Sequence, residues 1–126
     1  MNIPEELRYS SDHEWARLEG ANVRIGITDF AQDNLGDVVF VQLPEVGTAV
    51  EANASFSEVE STKSVSDIYA PVGGTIVEVN AELESTPELL NRDPYGEGWI
   101  CVIETSDPSE LDSLLDAEKY RALITD

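Results

Sequence analysis

The chain has 126 residues, 41% of them apolar and spread along its length, which excludes a disordered protein and leaves room for one domain, 1–126, with a modest core. Its 26 acids outnumber seven basic residues, giving a net charge of −19; this excludes nucleic acid and anionic membranes as partners, because both need clustered Lys and Arg. No apolar run nears the ~18 residues of a membrane span, and the single cysteine, Cys101, excludes an internal disulfide.

The start, MNIPEELRYS, has no basic segment followed by an apolar one, so it predicts no secretory leader. Glu14–Leu18 and Asn22–Ile27 read as two strands joined by a hairpin at Glu19-Gly20. Thr28 is placed to cap a short helix over Asp29–Leu35 that stops at Gly36. Val38–Leu43 reads as a β-branched strand ended by Pro44, and Gly47 marks a turn before a strand near Ala49–Glu51. Ser55–Glu60 and Ser64–Tyr69 follow, with only Ser61-Thr62-Lys63 between them, which predicts a tight turn. Pro71–Gly74 is turn chemistry, and Thr75–Val79 alternates like a strand.

After Asn80 the pattern changes. Thr86-Pro87 predicts a cap and first position for a short helix through Leu90. Tyr95–Gly98 reads as a loop and Trp99–Ile103 as the last strand. Asp107-Pro-Ser-Glu110 has the form of a capping box for a helix reaching Leu115. Asp116 caps a final helix carrying Tyr120 and Leu123. Trp15 and Trp99 read as core aromatics. Cys101, inside WICVI, reads as a buried inert thiol. One compact β-rich domain with short helices follows.

Little catalytic chemistry is present. His13 is the only histidine, and no second His or Cys lies near it for a zinc site. No nucleophile-elbow, phosphate-loop or dinucleotide motif occurs. The acids of DFAQDNLGD do not match a calcium loop. The charge reads as a solvated, self-repelling surface that keeps the protein monomeric, and it would also steer basic protein partners.

One feature is not background. Five of the seven basic residues are arginines, yet Lys63 sits at a hairpin tip among Ser61, Thr62 and Ser64. The plain alternative is a surface lysine balancing Glu58, Glu60 and Asp67, a kind of pair that contributes little. The small neighbours instead leave its amine open to another enzyme, and acylating that amine would remove the charge and leave a neutral tether.

The stretch VESTKSVSDIYAPVGGTIVEVN closely resembles the lipoylation region of the glycine cleavage H-protein family. The likeness extends to YSSDHEW at 9–15, GITDFAQDNLGDVVFVQLPEVG at 26–47, ESTPELLNRDPYGEGW at 84–99 and LDAEKYRALI at 115–124. It implies a barrel-sandwich hybrid of the lipoyl/biotinyl type, two small antiparallel sheets with short helices, and Lys63 as the lysine that carries lipoic acid. Gly47 and Gly74 match the glycines such domains place on either side of that lysine.

The resemblance also implies a carrier rather than an enzyme. The lipoyl group takes an aminomethyl unit from glycine on the pyridoxal-phosphate P protein, glycine decarboxylase. It presents that unit to the aminomethyltransferase, the T protein. Dihydrolipoamide dehydrogenase, the L protein, then reoxidises it. On this resemblance Glu14 and Asp67 are candidate contacts for the aminomethyl arm, and Glu60 a candidate for recognition by the lipoate-attaching enzyme. The location it implies is the cytoplasm, or the mitochondrial matrix if a transit peptide has been removed. A biotin carrier shares the fold, but Thr62 and Ser64 flank Lys63 where biotinyl lysines sit between methionines. A lipoyl relay to other complexes and an unmodified acidic scaffold are the other readings.

Overall fold

The computed structural model describes residues 2–125. Nine strands form two antiparallel sheets. The larger contains β1 (Arg8–Tyr9), β2 (Glu14–Glu19), β3 (Asn22–Ile27), β5 (Ala49–Val50), β8 (Gly74–Val79) and β9 (Cys101–Thr105), in the order β1-β2-β3-β9-β8-β5. The smaller contains β4 (Val38–Gln42), β6 (Ser55–Ser61) and β7 (Val65–Tyr69), with β6 in the middle. Helix α1 (Asp29–Leu35) links the sheets; α2 (Glu82–Ser85) and α3 (Leu89–Arg92) precede β9; a 3₁₀ helix (Pro108–Ser113) and α4 (Ala117–Ile124) follow it. The expected mainly-β, two-sheet architecture is observed; neither sheet closes into a barrel.

The sheets exist because period-two apolar residues face each other. Val23, Ile25 and Ile27 of β3 are fully buried, as are Val59 of β6, Ile76 of β8 and Ile103 of β9. They form one core between the sheets. A second cluster lies under α4, where Tyr9, Trp15, Ala117 and Tyr120 pack together. The Tyr9 and Tyr120 rings stack at 4.7 Å. Trp15 is buried with its indole N–H donating to the Pro94 carbonyl at 2.9 Å. Trp99 is only half-buried, packed on that cluster with the Arg24 guanidinium 4.4 Å above its ring. Cys101 is buried, and desolvation pushes its thiol up to about 12, so it is inert as expected.

Local expectations fail where one residue's backbone group is taken by a distant partner. The last strand is Cys101–Thr105, two residues later than expected, because Trp99 belongs to the preceding turn, its N–H donating to the Gly96 carbonyl at 3.3 Å. The expected helix to Leu115 is a 3₁₀ turn ending at Ser113. Its capping box is half-formed: Asp107 accepts from the Ser109 N–H, but Glu110 accepts from the Gly73 N–H instead of reaching back. Leu115 then exchanges two backbone bonds with Tyr9, both 2.8 Å. Thr86 makes no side-chain cap, and α3 begins at Leu89. By contrast Thr28 caps α1 and Asp116 caps α4 as expected, accepting from Ala31 and Lys119 N–H groups.

Gly47 and Gly74 both take positive φ, at 96° and 154°. Gly74 has a second constraint: a Cβ there would lie 2.1 Å from the Glu104 carbonyl oxygen of the paired strand. The β8–β9 ladder leaves no room for it to move. Gly74→Ala is therefore expected to cost roughly 3 kcal/mol or more, as overpacking against backbone does. Urea unfolding followed by tryptophan fluorescence would read this as a lowered midpoint with the slope unchanged.

Candidate functional site

Lys63 stands at the tip of the β6–β7 hairpin and is exposed. Ser61 builds that tip. Its N–H donates to the Ser64 carbonyl at 2.8 Å, and its Oγ accepts from the Lys63 and Ser64 N–H groups at 3.2 and 3.1 Å. The Thr62 N–H donates to the Asp37 carbonyl at 3.0 Å, which fixes the tip to the turn between α1 and β4. Lys63 makes no ion pair among the described residues; the bridges found there use arginines.

The lysine stem lies over Gly36. A Cβ at position 36 would sit 2.8 Å from Lys63 Cε and 3.6 Å from Nζ. Gly36 has φ 78° and ψ −155°, a region essentially closed to other residues. It also ends α1, whose carboxyl end carries partial negative charge that favours a nearby ammonium. Asn91 of α3 brackets this turn: its amide N donates to the Gly36 carbonyl at 2.8 Å and to Gln32 Oε1 at 3.1 Å, and its Oδ1 accepts from the Val38 N–H at 2.9 Å.

Beside the lysine a cleft of ≈310 Å³ opens between α1 and β7. Ile27, Leu35 and Ile68 supply apolar wall, and Asp12, Ser66 and Asp67 supply polar rim. Ser64, next to Lys63, and Leu35, next to Gly36, both line it. Asp67 is exposed. A larger groove of ≈630 Å³ lies at the other end of β4 and β6, around Gln42, Ser55 and Glu58, away from the lysine.

The remaining two candidates are elsewhere. Glu60 projects from the outer face of the small sheet, paired with Phe40 and Val65. Glu14 is 1% exposed. Its Oε1 accepts from the Ser10 hydroxyl at 2.5 Å and its Oε2 from the Tyr69 N–H at 3.3 Å. Glu14 does not line the cleft itself, but its chain neighbour His13 and its strand partner Ile27 do.

The model of the family described as "Glycine cleavage H-protein" matches residues 7–126. The chain belongs to the glycine cleavage H-protein family. It is 60% identical over 126 residues to a glycine cleavage system H protein of Geobacillus thermodenitrificans, covering 100% of this chain and 99% of that one. It is 60% identical over 121 residues to one from Symbiobacterium thermophilum, covering 96% and 94%. The crystal structure of such a protein from Mycobacterium marinum superposes with a TM-score of 0.87 at 46% identity, over 95% and 97% of the two chains. Members of this family are lipoyl carriers of the glycine cleavage system.

Seen as an H-protein site, two features escaped sequence reading. Gly36 and Asn91, which seat the lysine, carry no local signal beyond a helix stop and an ordinary surface amide. His13 adopts φ 73°, unusual for a non-glycine residue, and lines the cleft. Its Nδ1 is 2.8 Å from the Tyr120 hydroxyl, which is also 2.7 Å from Thr28 Oγ1. Burial lowers the His13 pKa, against a smaller opposing effect from Asp12, so the ring is neutral at pH 7. This chain of hydrogen bonds ties α4 to the N-cap of α1, and so to one wall of the cleft.

Glu14 gives a test of the electrostatics. Desolvation raises its carboxyl from the ordinary 4.5 to about 7, with the Ser10 and Tyr69 hydrogen bonds opposing. Between those values the folded protein keeps a proton that the unfolded chain has released, so stability falls as pH rises and the loss is complete above about 7. The contribution is of order 3 kcal/mol. Glu14→Gln, which cannot ionise, is expected to be more stable than the parent at pH 8 and to differ little at pH 4.5. Denaturant unfolding at both pH values measures this, and an identical difference at the two would show that Glu14 does not titrate in this range.

Proposed function

We propose that this chain is the shuttle of the glycine cleavage system, with lipoic acid in amide linkage to Lys63 and no catalytic turnover of its own. The observation that carries the reading is the exposed Lys63 amine, without an ion pair among the described residues, on a hairpin beside a cleft. Its partners on this reading are the P, T and L proteins and a lipoate-attaching enzyme, all in the cytoplasm.

The residues fit the group. Among the described residues Lys63 has no competing ion pair, its stem rests where Gly36 offers no side chain, and the adjoining cleft combines apolar wall with acidic rim. When attached, the dithiolane supplies a reversible disulfide–dithiol couple that accepts the aminomethyl group and later returns to the oxidised form. The protein's own part is protection. Ile27, Leu35 and Ile68 exclude water, and Asp67 holds a cationic amine by a charge-assisted hydrogen bond. Glu14 lies behind the cleft wall, and an ammonium held in the cleft would act on it as a nearby positive charge that draws its pKa down and favours its ionisation. Glu60 contributes to recognition when lipoate is attached.

Intact-mass spectrometry of the protein purified from its native cells tests the attachment. A lipoyl adduct on Lys63 is expected, none on Lys63→Arg, and no glycine turnover from that variant. Native protein bare at Lys63 would instead support the unmodified scaffold. In the loaded protein, Asp67→Asn is expected to speed loss of the aminomethyl group to water roughly tenfold, the worth of one charged hydrogen bond. A rate equal to the parent's would remove Asp67 from that role.

A further inference from the structure

Helix α4 does not line the cleft, yet one of its side chains reaches two elements that do. Tyr120 is fully buried. Its hydroxyl lies 2.8 Å from His13 Nδ1 and 2.7 Å from Thr28 Oγ1. His13 forms one lip of the cleft, and Thr28 is the N-cap of α1, which supplies Ala31, Asn34 and Leu35 to the wall. A third bond closes the group: the Thr28 N–H donates to the His13 carbonyl at 3.0 Å. Among the described residues the other side-chain polar link from α4 to the body of the fold is the Arg121–Glu5 pair, long at 3.8 Å and exposed.

The number of donors sets the order of the protons. The Ala31 N–H donates to Thr28 Oγ1 at 3.2 Å, and Thr28 is fully buried, so its hydroxyl proton needs a partner within the fold. Among the described residues Tyr120 is the only other partner of that hydroxyl. Thr28 therefore donates to Tyr120, and Tyr120 donates to Nδ1 of a neutral His13. The reverse order would leave the Thr28 proton buried and unpaired. His13 is held at φ 73° to make this contact, a conformation that persists only where its surroundings impose it. Its ring also lies 4.7 Å from that of Phe30 in α1.

The two walls of the cleft are unequal. The β7 wall is a strand paired into a sheet. The α1 wall is a helix of seven residues, too short to be stable by itself in water. Asn91 anchors its far end at Gly36, and Tyr120 anchors its near end through Thr28. We propose that Tyr120 is a positioning residue for the loaded carrier: its hydroxyl holds His13 and the α1 wall in place facing β7, and α4 thereby latches the cleft around the aminomethyl arm. This rests on the lipoyl-carrier reading of Lys63. With the latch released, α1 shifts and water reaches the arm. Hydrolysis then breaks the C–S and C–N bonds of the aminomethyl group and gives free thiol, formaldehyde and ammonium, with no oxidation or reduction.

Tyr120→Phe removes the hydroxyl and keeps the ring. Tyr9→Phe is the matched control: Tyr9 is the other ring of the same stack, and its hydroxyl donates to the Pro4 carbonyl at 2.6 Å, where neither residue lines the cleft. In unmodified full-length protein, hydrogen exchange at the Gln32 and Gly36 amides is expected to quicken roughly tenfold in Tyr120→Phe, the effect of losing one buried hydrogen bond, and to keep the parent's rate in Tyr9→Phe. After lipoylation and loading with the aminomethyl group, release of formaldehyde and ammonium to water is expected to rise roughly tenfold in Tyr120→Phe and not in Tyr9→Phe. Exchange or release in Tyr120→Phe within about twofold of the parent would overturn the proposal. So would an equal rise in Tyr9→Phe, which would mark a general loss of stability. The two readings fail separately: a parent that takes up no adduct at Lys63 removes the carrier function and the latch with it, whereas a loaded parent with an unchanged Tyr120→Phe removes only the latch.

Discussion

The site depends on one backbone hydrogen bond, from the Thr62 N–H to the Asp37 carbonyl. An isolated two-stranded hairpin is marginal in water and its tip would fray. Here the tip is pinned to a turn that is itself held from beneath by the Asn91 amide, which satisfies a carbonyl on one side and an N–H on the other. The swinging part is thereby confined to the lysine side chain and whatever it bears. Rigid backbone with a mobile stalk is what a carrier needs, because positional freedom at the base would add entropy cost to every docking event.

The second theme is a gradient of polarity around the lysine. Its own surroundings are exposed and acidic. The cleft beside it grades into apolar wall, and behind that wall lies Glu14, buried and half-protonated near neutrality. A buried carboxyl of that kind costs stability, and it persists because Ser10 and the Tyr69 N–H satisfy its oxygens. The strained His13 backbone lies next to it, and the His13–Tyr120–Thr28 bonds brace it from the C-terminal helix. Strain and a displaced pKa at one place, behind the cleft wall, are the marks of a site rather than of a scaffold.

The net charge also has structure. Arg17 and Arg24, cross-strand partners on the large sheet, share Glu19, and Arg24 covers Trp99. Four of the five arginines are thus spent within the fold, at aromatic faces and local pairs, and among the described residues Lys63 has no such pair. The acids dominate what partners meet, giving long-range attraction to basic surfaces that salt would weaken.

Much of this was legible in the chain itself. Alternation placed β2, β3, β6 and β7 within a residue or two, since those strands bury one face and the pattern is local. Thr28 and Asp116 announced their helices, because a cap is a contact between residues three apart. The isolated Lys63 between small residues marked the hairpin tip. What tertiary structure alone decided were contacts across long sequence separations. Asn91 beneath Gly36 is 55 residues away, and Tyr69 against Glu14 is also 55 away. The bulges in β4 and β8, which turn Phe40 and Val77 outward, depend on the partner strand's register. No local pattern encodes these, because each is fixed by which surfaces meet once the two sheets close on their shared core.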